Sequence, residues 1–511
     1  MTSMELYLYL AAFFLAFFAF KILSPKKHNY PPGPRALPVV GNLHLIKPPL
    51  YRFFQTASGR FGPIMLFWMG RTPFLVVSSP AAVEECFTKN DIIFADRPNS
   101  MSGDHLTYNY QFLVWAHHGP LWKNLRRLTY TEIFSLKALQ RSAFVREEET
   151  SHFAGRLLRY CSSGKTKLDM KYMFSLLASS VIMRVAAGKR HVAVHDEDTE
   201  EERRRIKEFK ELFFPVVTPA VGDYIPVLRT IGYKGVEKGM IRLAQKRDVY
   251  LNNLVAEVRA KRAASGKRSS GEDGDKLSSV ADTVLNLQET QPELYTDDIV
   301  KSLVMMMFIA GTETSTTVLE WSLTLLLQHP NKMQKLQAEI DGITGESRLM
   351  NESDLPNLPY LRAVVKEALR LFPPVPLLLP HFSTDACTVG GYDIPKGTML
   401  LVNVWAMHRD PKLWDEPTEF RPERFVETNL DTYLLVPFGV GRRACAGNTM
   451  GTHMVCVALG VLMQCFDWDQ LGMDEDMSHA VGAGTLSKGK PLEASFAPRP
   501  KMTNLLSSLL S

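Results

Sequence analysis

One cysteine stands apart from the others. Cys445 lies in Phe438-Gly439-Val440-Gly441-Arg442-Arg443-Ala444-Cys445-Ala446-Gly447, and apolar, helix-compatible sequence follows from Thr449 to Phe466. A sulfur just ahead of a helix N-terminus feels the positive end of the helix dipole. That favours thiolate, the form that ligates metals. Gly441 and Gly447 would let backbone approach a flat ligand with no Cβ in the way. A buried structural cysteine is the plainer alternative, since free cysteine is often buried. The remaining cysteines, Cys86, Cys161, Cys387, Cys456 and Cys465, lack the density and spacing of a disulfide framework or a zinc site and suit a reducing compartment.

A second cluster, Ala310-Gly311-Thr312-Glu313-Thr314, interrupts a long apolar run. Gly311 weakens a helix by roughly 1 kcal/mol against alanine, and Glu313 is ionisable among apolar neighbours. Either the glutamate faces solvent beside an incidental glycine, or the helix widens into a groove where an acid and a hydroxyl meet a ligand. A third pair, Glu367 and Arg370, is spaced to share one helix face. On a surface such a pair contributes little.

The elements that must position these residues are mostly helices. Thr296 is a good N-cap, Asp297 and Asp298 complement the first-turn dipole, and apolar residues dominate to Leu327 before His329-Pro330 ends the run. A single helix of ~48 Å is expected. Another is expected over Pro359–Leu371, with proline suited to its first turn. Alternating runs at Ile64–Phe67 and Phe74–Val77 predict a strand pair around Gly70-Arg71-Thr72. The acidic run Asp196–Glu202 reads as a solvated loop leading through Arg203-Arg204-Arg205 into an amphipathic helix that carries Phe209–Phe214. Ser265–Asp275 reads as a surface loop.

With 511 residues the chain is long enough for about three domains, but no long Pro/Gly/Ser linker divides it. Residues 1–27 read as a membrane anchor with a basic flank, 28–42 as a proline-rich hinge, and 43–511 as one catalytic domain. Leu6–Phe20 carries no charge, and a helix over Leu6–Leu23 would reach ~27 Å, close to the ~30 Å hydrocarbon core. Lys21 can snorkel to the interface. A cleaved signal peptide is the rival reading, yet Glu5 precedes the apolar run while Lys21, Lys26 and Lys27 follow it. The positive-inside rule then puts the rest of the chain in the cytosol. Tyr30-Pro31-Pro32-Gly33-Pro34-Arg35 is either a plain linker or a stiff spacer against the membrane. A net charge of +5 and the lack of a dense basic stripe give no reason to invoke nucleic acid.

Taken in chain order, the motifs are Trp122-x-x-x-Arg126, Ala310-Gly311-x-Glu313-Thr314, Glu367-x-x-Arg370, Phe420-x-Pro422-Glu423-Arg424-Phe425 and Phe438-x-x-Gly441-x-Arg443-x-Cys445-x-Gly447. Together they resemble the cytochrome P450 family of haem-thiolate monooxygenases over essentially the whole chain. The anchor and hinge are similar to the microsomal class, and the tract Cys387–Thr398 resembles the plant group that contains isoflavone hydroxylases.

The resemblance implies a mainly α fold with a small β region, the cytochrome P450 fold, behind one N-terminal transmembrane helix. It implies haem b (iron protoporphyrin IX), with Cys445 as the proximal metal ligand. Trp122, Arg126, His381 and Arg443 would hold the propionates, and Phe438 would belong to the same cofactor-binding loop. Glu367, Arg370 and Arg424 would form a buried ion network supporting that loop. Glu313 and Thr314 would be the catalytic acid–alcohol pair that delivers protons so that one oxygen of dioxygen leaves as water. The acid is Glu where many relatives carry Asp, and Ala446 stands where plant relatives often have Pro.

No flavin or dinucleotide fingerprint occurs, so NADPH would act indirectly through a membrane-bound NADPH–cytochrome reductase. Lys123, Arg127 and Arg442 are candidate docking charges. The implied location is the endoplasmic reticulum membrane, single-pass, in contact with lipid. By the same analogy, the substrate pocket is built from Arg97–Pro120, Phe209–Pro219, Met305–Thr314, Pro374–Phe382 and Gly482–Ser487, with Phe112, Val114, Phe213, Phe214, Met306, Phe308, Val375, Leu378 and Leu486 on offer. Such surfaces suit a flat, mainly apolar small molecule, although each residue taken alone reads equally as core. A phenylpropanoid or flavonoid is favoured, with terpenoid, alkaloid and indole substrates open. Hydroxylation competes with oxidative phenol coupling or ring closure, for example on a benzophenone or lignan. A haem-binding protein without catalysis is the reading from another class.

Overall fold

Proline and side-chain caps set where many of the helices begin. Ser79 caps the helix opened by Pro80, Gly119 precedes the one opened by Pro120, and Thr296 Oγ1 accepts from the Ile299 N–H at 3.4 Å. In this computed structural model the described residues are Phe13 and residues 28–162, 167–190, 199–214, 220–264, 278–426, 431–472, 476–482 and 485–509. The expected anchor (apart from Phe13), Asp196–Asp198 of the acidic run, and the Ser265–Asp275 loop lie outside them.

The principal elements, in chain order, are α1 (Leu50–Phe61), β1 (Ile64–Met69), β2 (Thr72–Val77), α2 (Pro80–Phe87), α3 (Pro120–Leu128), α4 (Leu136–Ser162), β3 (Lys167–Asp169), α5 (Met170–Ala187), α6 (Glu200–Phe213), α7 (Val236–Ala264), α8 (Val280–Thr290), α9 (Asp297–Gly311), α10 (Glu313–Gln328), α11 (Pro330–Thr344) and α12 (Pro359–Leu371). Then come β4 (His381–Phe382), β5 (Cys387–Val389), β6 (Tyr392–Ile394), β7 (Met399–Val402), α13 (Asn448–Cys465), β8 (Phe466–Trp468), β9 (His479–Gly482), β10 (Thr485–Lys488) and β11 (Glu493–Pro498). The domain is mainly α with a small β region. The expected strand pair is the antiparallel β1–β2 hairpin, with Ile64 opposite Val77; β7 adds parallel to β2, and β4 closes the sheet in the order β1-β2-β7-β4.

The largest core cluster joins α4, α5, α10, α12 and α13, and within it Trp321 stacks on Phe372 with ring centroids 3.6 Å apart. A second cluster joins α3, α5, α7, α8 and α9. α5 and the Asp297–Gln328 run are long and apolar enough to cross a membrane, but most of each is buried inside the domain. Residues 28–42 lie along the sheet: Leu66 N–H donates to Pro32 O at 3.1 Å, and Asn29 bonds the β5–β6 hairpin through Asp393 and Gly391.

Two expectations change. The long helix is two, divided at Thr312, where the helical hydrogen-bond ladder is interrupted although the backbone stays in the right-handed helical region at φ −87°, ψ −67°. Glu202 does not lie in a solvated loop. It sits in the first turn of α6, is buried, and meets Arg156 through bonds of 2.5 and 2.9 Å, because α6 packs that face onto the domain. Glu367 and Arg370 are each 0% exposed, in keeping with the buried ion network that the resemblance implies.

Candidate functional site

The Cys loop is held by its own backbone. Cys445 N–H donates to Phe438 O at 2.9 Å and Ala444 N–H to Gly441 O at 3.2 Å. Gly439 and Gly441 adopt φ of +69° and +74°, where a side chain would be strained. A Cβ on Gly441 would also stand 2.6 Å from Asp91 Oδ1. Gly447 needs neither allowance: its φ is −88°, and a Cβ would meet Phe134 at an ordinary 3.6 Å. α13 begins at Asn448, just past the cysteine. Phe438 is half-buried and packs on the main core.

Burial pushes the Cys445 thiol pKa up, while the Gly447 backbone and the Arg126 charge pull it down. The side chain nevertheless retains accessible surface. The sulfur is thus crowded by protein yet still reachable by a ligand. Iron binding there would displace the proton and settle the thiolate.

Positive charge gathers beside the loop. Arg126 donates to Ala444 O and, at 2.9 Å, to the Tyr130 hydroxyl. The Arg443 guanidinium lies 4.4 Å from the centroid of Trp122, which is buried, and donates to Ala95 O at 2.6 Å and Ala116 O at 2.7 Å. His381 is buried, 4.9 Å from Phe87 between ring centroids, with Nδ1 2.9 Å from Phe94 O. Desolvation, then Arg97 and Arg443, hold its pKa well below the usual value. Nδ1 must donate to that carbonyl, so neutral His381 presents only a lone pair at Nε2. It can donate to a carboxylate only once a second proton is bound, which the anion itself would favour.

The sequence-based reading missed Arg97 as a partner in this cluster and used it only to bound a pocket segment. It is buried, and donates through Nε to Val114 O at 2.9 Å and through Nη1 to Leu379 O and Pro380 O. Desolvation and the Arg443 charge lower its pKa, with Asp96 opposing. An isolated arginine before Pro98 carries no spacing signal that could have found it. Asp96 is the nearby carboxylate, and it already accepts from His117 Nδ1 and the His118 and Arg97 N–H groups. Arg443 Nη1 and His118 Nε2 are buried with no hydrogen-bond partner among the described residues. Buried cations in excess, with donors left over, call for anions. The two carboxylates of haem fit this set.

On the opposite helix the structure separates the acid from the alcohol. Thr314 is half-buried and its hydroxyl donates to Ala310 O at 2.6 Å, satisfying a carbonyl the helix break leaves free. Ile309, Ala310 and Gly311 also keep accessible surface in an otherwise buried stretch. Glu313 points elsewhere: it is 8% exposed, with Ser487 Oγ at 3.5 Å from Oε1. Gly311 does not open a groove, since a Cβ there would lie 2.4 Å from Ile182 Cδ1. It permits the close approach of α5.

The Glu367 network forms as the resemblance implies. Arg370 Nε and Nη2 bond Glu367 at 2.7 and 2.8 Å, and Arg424 Nε bonds it at 3.1 Å. Arg370 also donates to the carbonyls of His408, Pro417 and Glu419, fastening the segment ahead of the Cys loop. Lys123 and Arg127 are exposed on one face of α3, while Arg442 is paired with Asp91 at 2.8 Å.

Of the aromatic candidates, Phe213 and Phe308 are core, packed edge-on at 5.2 Å, and Phe112, Met306 and Leu486 are buried. Val114, Phe214, Val375 and Leu378 keep accessible surface. Residues 215–219 and 483–484 of the expected pocket segments lie outside the described residues. A separate cavity of about 260 Å³ is lined by Met101, Gly222, Arg229, Tyr233 and neighbours, and by no residue of the Cys loop or helix break.

A family model described as Cytochrome P450 matches residues 31–495. Cytochrome P450 81Q32 of Catharanthus roseus is 42% identical, spanning 100% of this chain and 99% of its own length. Isoflavone 2'-hydroxylase of Glycyrrhiza echinata is 38% identical across 96% of both chains. The (+)-piperitol/(+)-sesamin synthase of Sesamum radiatum is 38% identical across 99% of both. Among solved structures, a zebrafish cytochrome P450 with progesterone aligns at TM-score 0.73 and 27% identity, covering 89% of this chain and 100% of that one.

Proposed function

The chain belongs to the cytochrome P450 family, and on that premise we propose that it hydroxylates a flat, mainly apolar plant metabolite of the phenylpropanoid or flavonoid type. It is a haem-dependent monooxygenase that draws electrons from NADPH through a reductase. When bound, the haem supplies dioxygen binding and activation. The observation that carries the site assignment is Cys445: accessible in a loop crowded by protein, beside the buried Arg97 and half-buried Arg126 and Arg443, for which Asp96 is the nearby carboxylate.

Cys445 Sγ holds the iron. Arg97, Arg126 and Arg443 neutralise the haem carboxylates, Trp122 seats Arg443, and protonated His381 adds a donor. Glu313, buried beside Ser487, is placed to relay protons, and the Thr314 hydroxyl, whose own proton is engaged by Ala310 O, offers lone pairs that orient a water or a protonated group. Val114, Phe214, Val375 and Leu378 present apolar surface to the substrate and exclude water. The hydroxylase named among the relatives supports the substrate class. The synthase supports a second outcome, ring closure by oxidative coupling.

The apolar N-terminus and its basic flank support a single-pass anchor over residues 1–27 in the endoplasmic reticulum membrane, a hinge over 28–42, and a cytosolic catalytic domain over 43–511. Exposed Lys123 and Arg127 suit an acidic reductase face.

The test is a membrane preparation co-expressed with a plant reductase and given NADPH, isotopically heavy dioxygen and a panel of flavonoids, isoflavones, benzophenones, lignans and terpenoids. A product carrying one heavy oxygen from a flavonoid-type substrate is expected. A product lighter by two hydrogens, with no heavy oxygen, assigns coupling instead. Products from terpenoids alone would overturn the substrate class.

A further inference from the structure

Glu313 is almost closed to solvent, yet its proposed task requires repeated reprotonation. Four and seven residues along α10, Thr317 and Glu320 fall on the same helix face. Glu320 is 0% exposed; its Oε1 accepts from Leu492 N–H at 3.0 Å, and its Oε2 has no hydrogen-bond partner among the described residues. Thr317 Oγ1 is also buried without a partner.

α5 runs against this face in the opposite direction. Ile182 lies against Gly311 near the helix break, and Lys171 exerts the strongest charge effect on Glu320. Ser175 stands one turn from Lys171 and two from Ile182 on that face, and its Oγ is a further buried atom with no partner. Ser175 Oγ, Thr317 Oγ1 and Glu320 Oε2, none with a hydrogen-bond partner among the described residues, therefore follow one seam where α5 packs on α10. Buried polar groups are as a rule satisfied, and ordered water is the usual completion where protein supplies none. At its inner end the seam meets Glu313, backed by Ser487. At its outer end Lys171 is half-exposed and Asp169 exposed, so solvent protons have an entry.

We propose that Glu320 is a positioning residue that holds a proton and passes it to Glu313 through water bound by Thr317 and Ser175. This deepens the reading of Glu313 as the proton donor and rests on it. For each substrate hydroxylated, the balance is RH + O2 + 2 e− + 2 H+ → ROH + H2O, with electrons from NADPH through the reductase. Glu320 gives up a proton inward and regains one from solvent at Asp169 and Lys171, so it is unchanged after each turnover.

Its surroundings suit that exchange. Desolvation raises the Glu320 pKa to about 7, against the pull of Lys171, Leu492 N–H and Lys488 and with Asp169 acting in the same direction. Both protonation states are then populated near neutral pH. Lys210 of α6 lies within reach of Glu313 and Glu320 electrostatically, and desolvation lowers its own pKa.

The test uses full-length membrane protein with reductase. Glu320→Gln keeps an oxygen for Leu492 N–H and removes the proton. Thr317→Val keeps the shape and removes the hydroxyl. With the panel isoflavone or flavonoid that gives most product, both variants should keep the carbon monoxide difference spectrum and the rate of first reduction. Product formed per NADPH should fall about 5- to 10-fold, hydrogen peroxide should rise, and the solvent deuterium effect should grow.

A readout independent of turnover is infrared titration of the resting protein. A protonated-carboxyl band should titrate near neutral pH, vanish in Glu320→Gln and persist in Thr317→Val. If that band is absent from the wild type, or if coupling is unchanged in Thr317→Val, the relay is wrong; should Glu320→Gln not fold, these two results decide it. Glu313→Gln separates the two readings. If it leaves coupling intact, the role of Glu313 fails, and the relay with it. If it uncouples while Thr317→Val does not, only the relay fails.

Discussion

The Cys loop and the helix break each carry a chemically active residue, but they are held in different ways. Cys445 is fixed mainly by bonds within its own decapeptide and by two left-handed glycines, with Arg126 reaching in to Ala444 and the loop's own Arg443 reaching out to Ala95 and Ala116. Glu313 and Thr314 are fixed by neighbours remote in sequence: Ile182 against Gly311 and Ser487 beside Glu313. One region stores its geometry locally and the other borrows it. The loop should therefore respond to substitution in an all-or-none way, while the break should respond by degrees.

The largest effect expected is at the locally held residue. Cys445→Ala should abolish the haem-thiolate carbon monoxide spectrum and all turnover; survival of that spectrum would assign the ligand elsewhere. Next comes the clamp behind the loop. Glu367→Ala leaves Arg370 buried and uncompensated and should destabilise the domain by about 3–5 kcal/mol, read as loss of haem-loaded protein on expression.

On the borrowed side, Glu313→Gln should keep the spectrum and slow product formation about 100-fold, measured by product mass. A loss of spectrum there would erase the contrast between the regions. Arg97→Leu should sharpen it on the cofactor side. Haem transfer to an acceptor apoprotein should speed up about 10-fold, the equivalent of losing one charge-assisted bond of ~1.4 kcal/mol.

The smallest effect is a pH dependence. The Glu320 pKa is raised on folding to about 7, so its contribution to stability is full below the unfolded value and is lost as pH rises through the folded one. Glu320→Gln should melt like the wild type at pH 4–5 and be more stable at pH 8, by on the order of 2 kcal/mol. Equal melting shifts at both pH values would show that Glu320 does not titrate there.

What was readable divides along the same line. The helices over Pro359–Leu371 and 448–465, the β1–β2 hairpin and the Thr296 cap follow from proline placement, apolar period and turn residues, all of them local signals. The break at Thr312 was not read, because it depends on Gly311 meeting Ile182 and on Thr314 taking the Ala310 carbonyl. Glu202 was misplaced because its partner Arg156 lies on another helix, 46 residues earlier in the chain. Arg97 escaped because an isolated arginine in a loop has no period.

By itself, then, the sequence determined the chemistry on offer: a cysteine in a glycine-rich loop ahead of a helix, and an acid beside a hydroxyl. These depend on residue type and on spacing within a few turns, which covalent geometry enforces. The tertiary structure alone decided which charges are buried and what they face. It fastened Glu367 and Arg370 as a buried clamp on the His408, Pro417 and Glu419 carbonyls, gathered Arg97 with Arg443, and lined up Ser175, Thr317 and Glu320 in one seam. The reason is physical: desolvation and close packing act between segments far apart in the chain, and only the folded state brings those segments together.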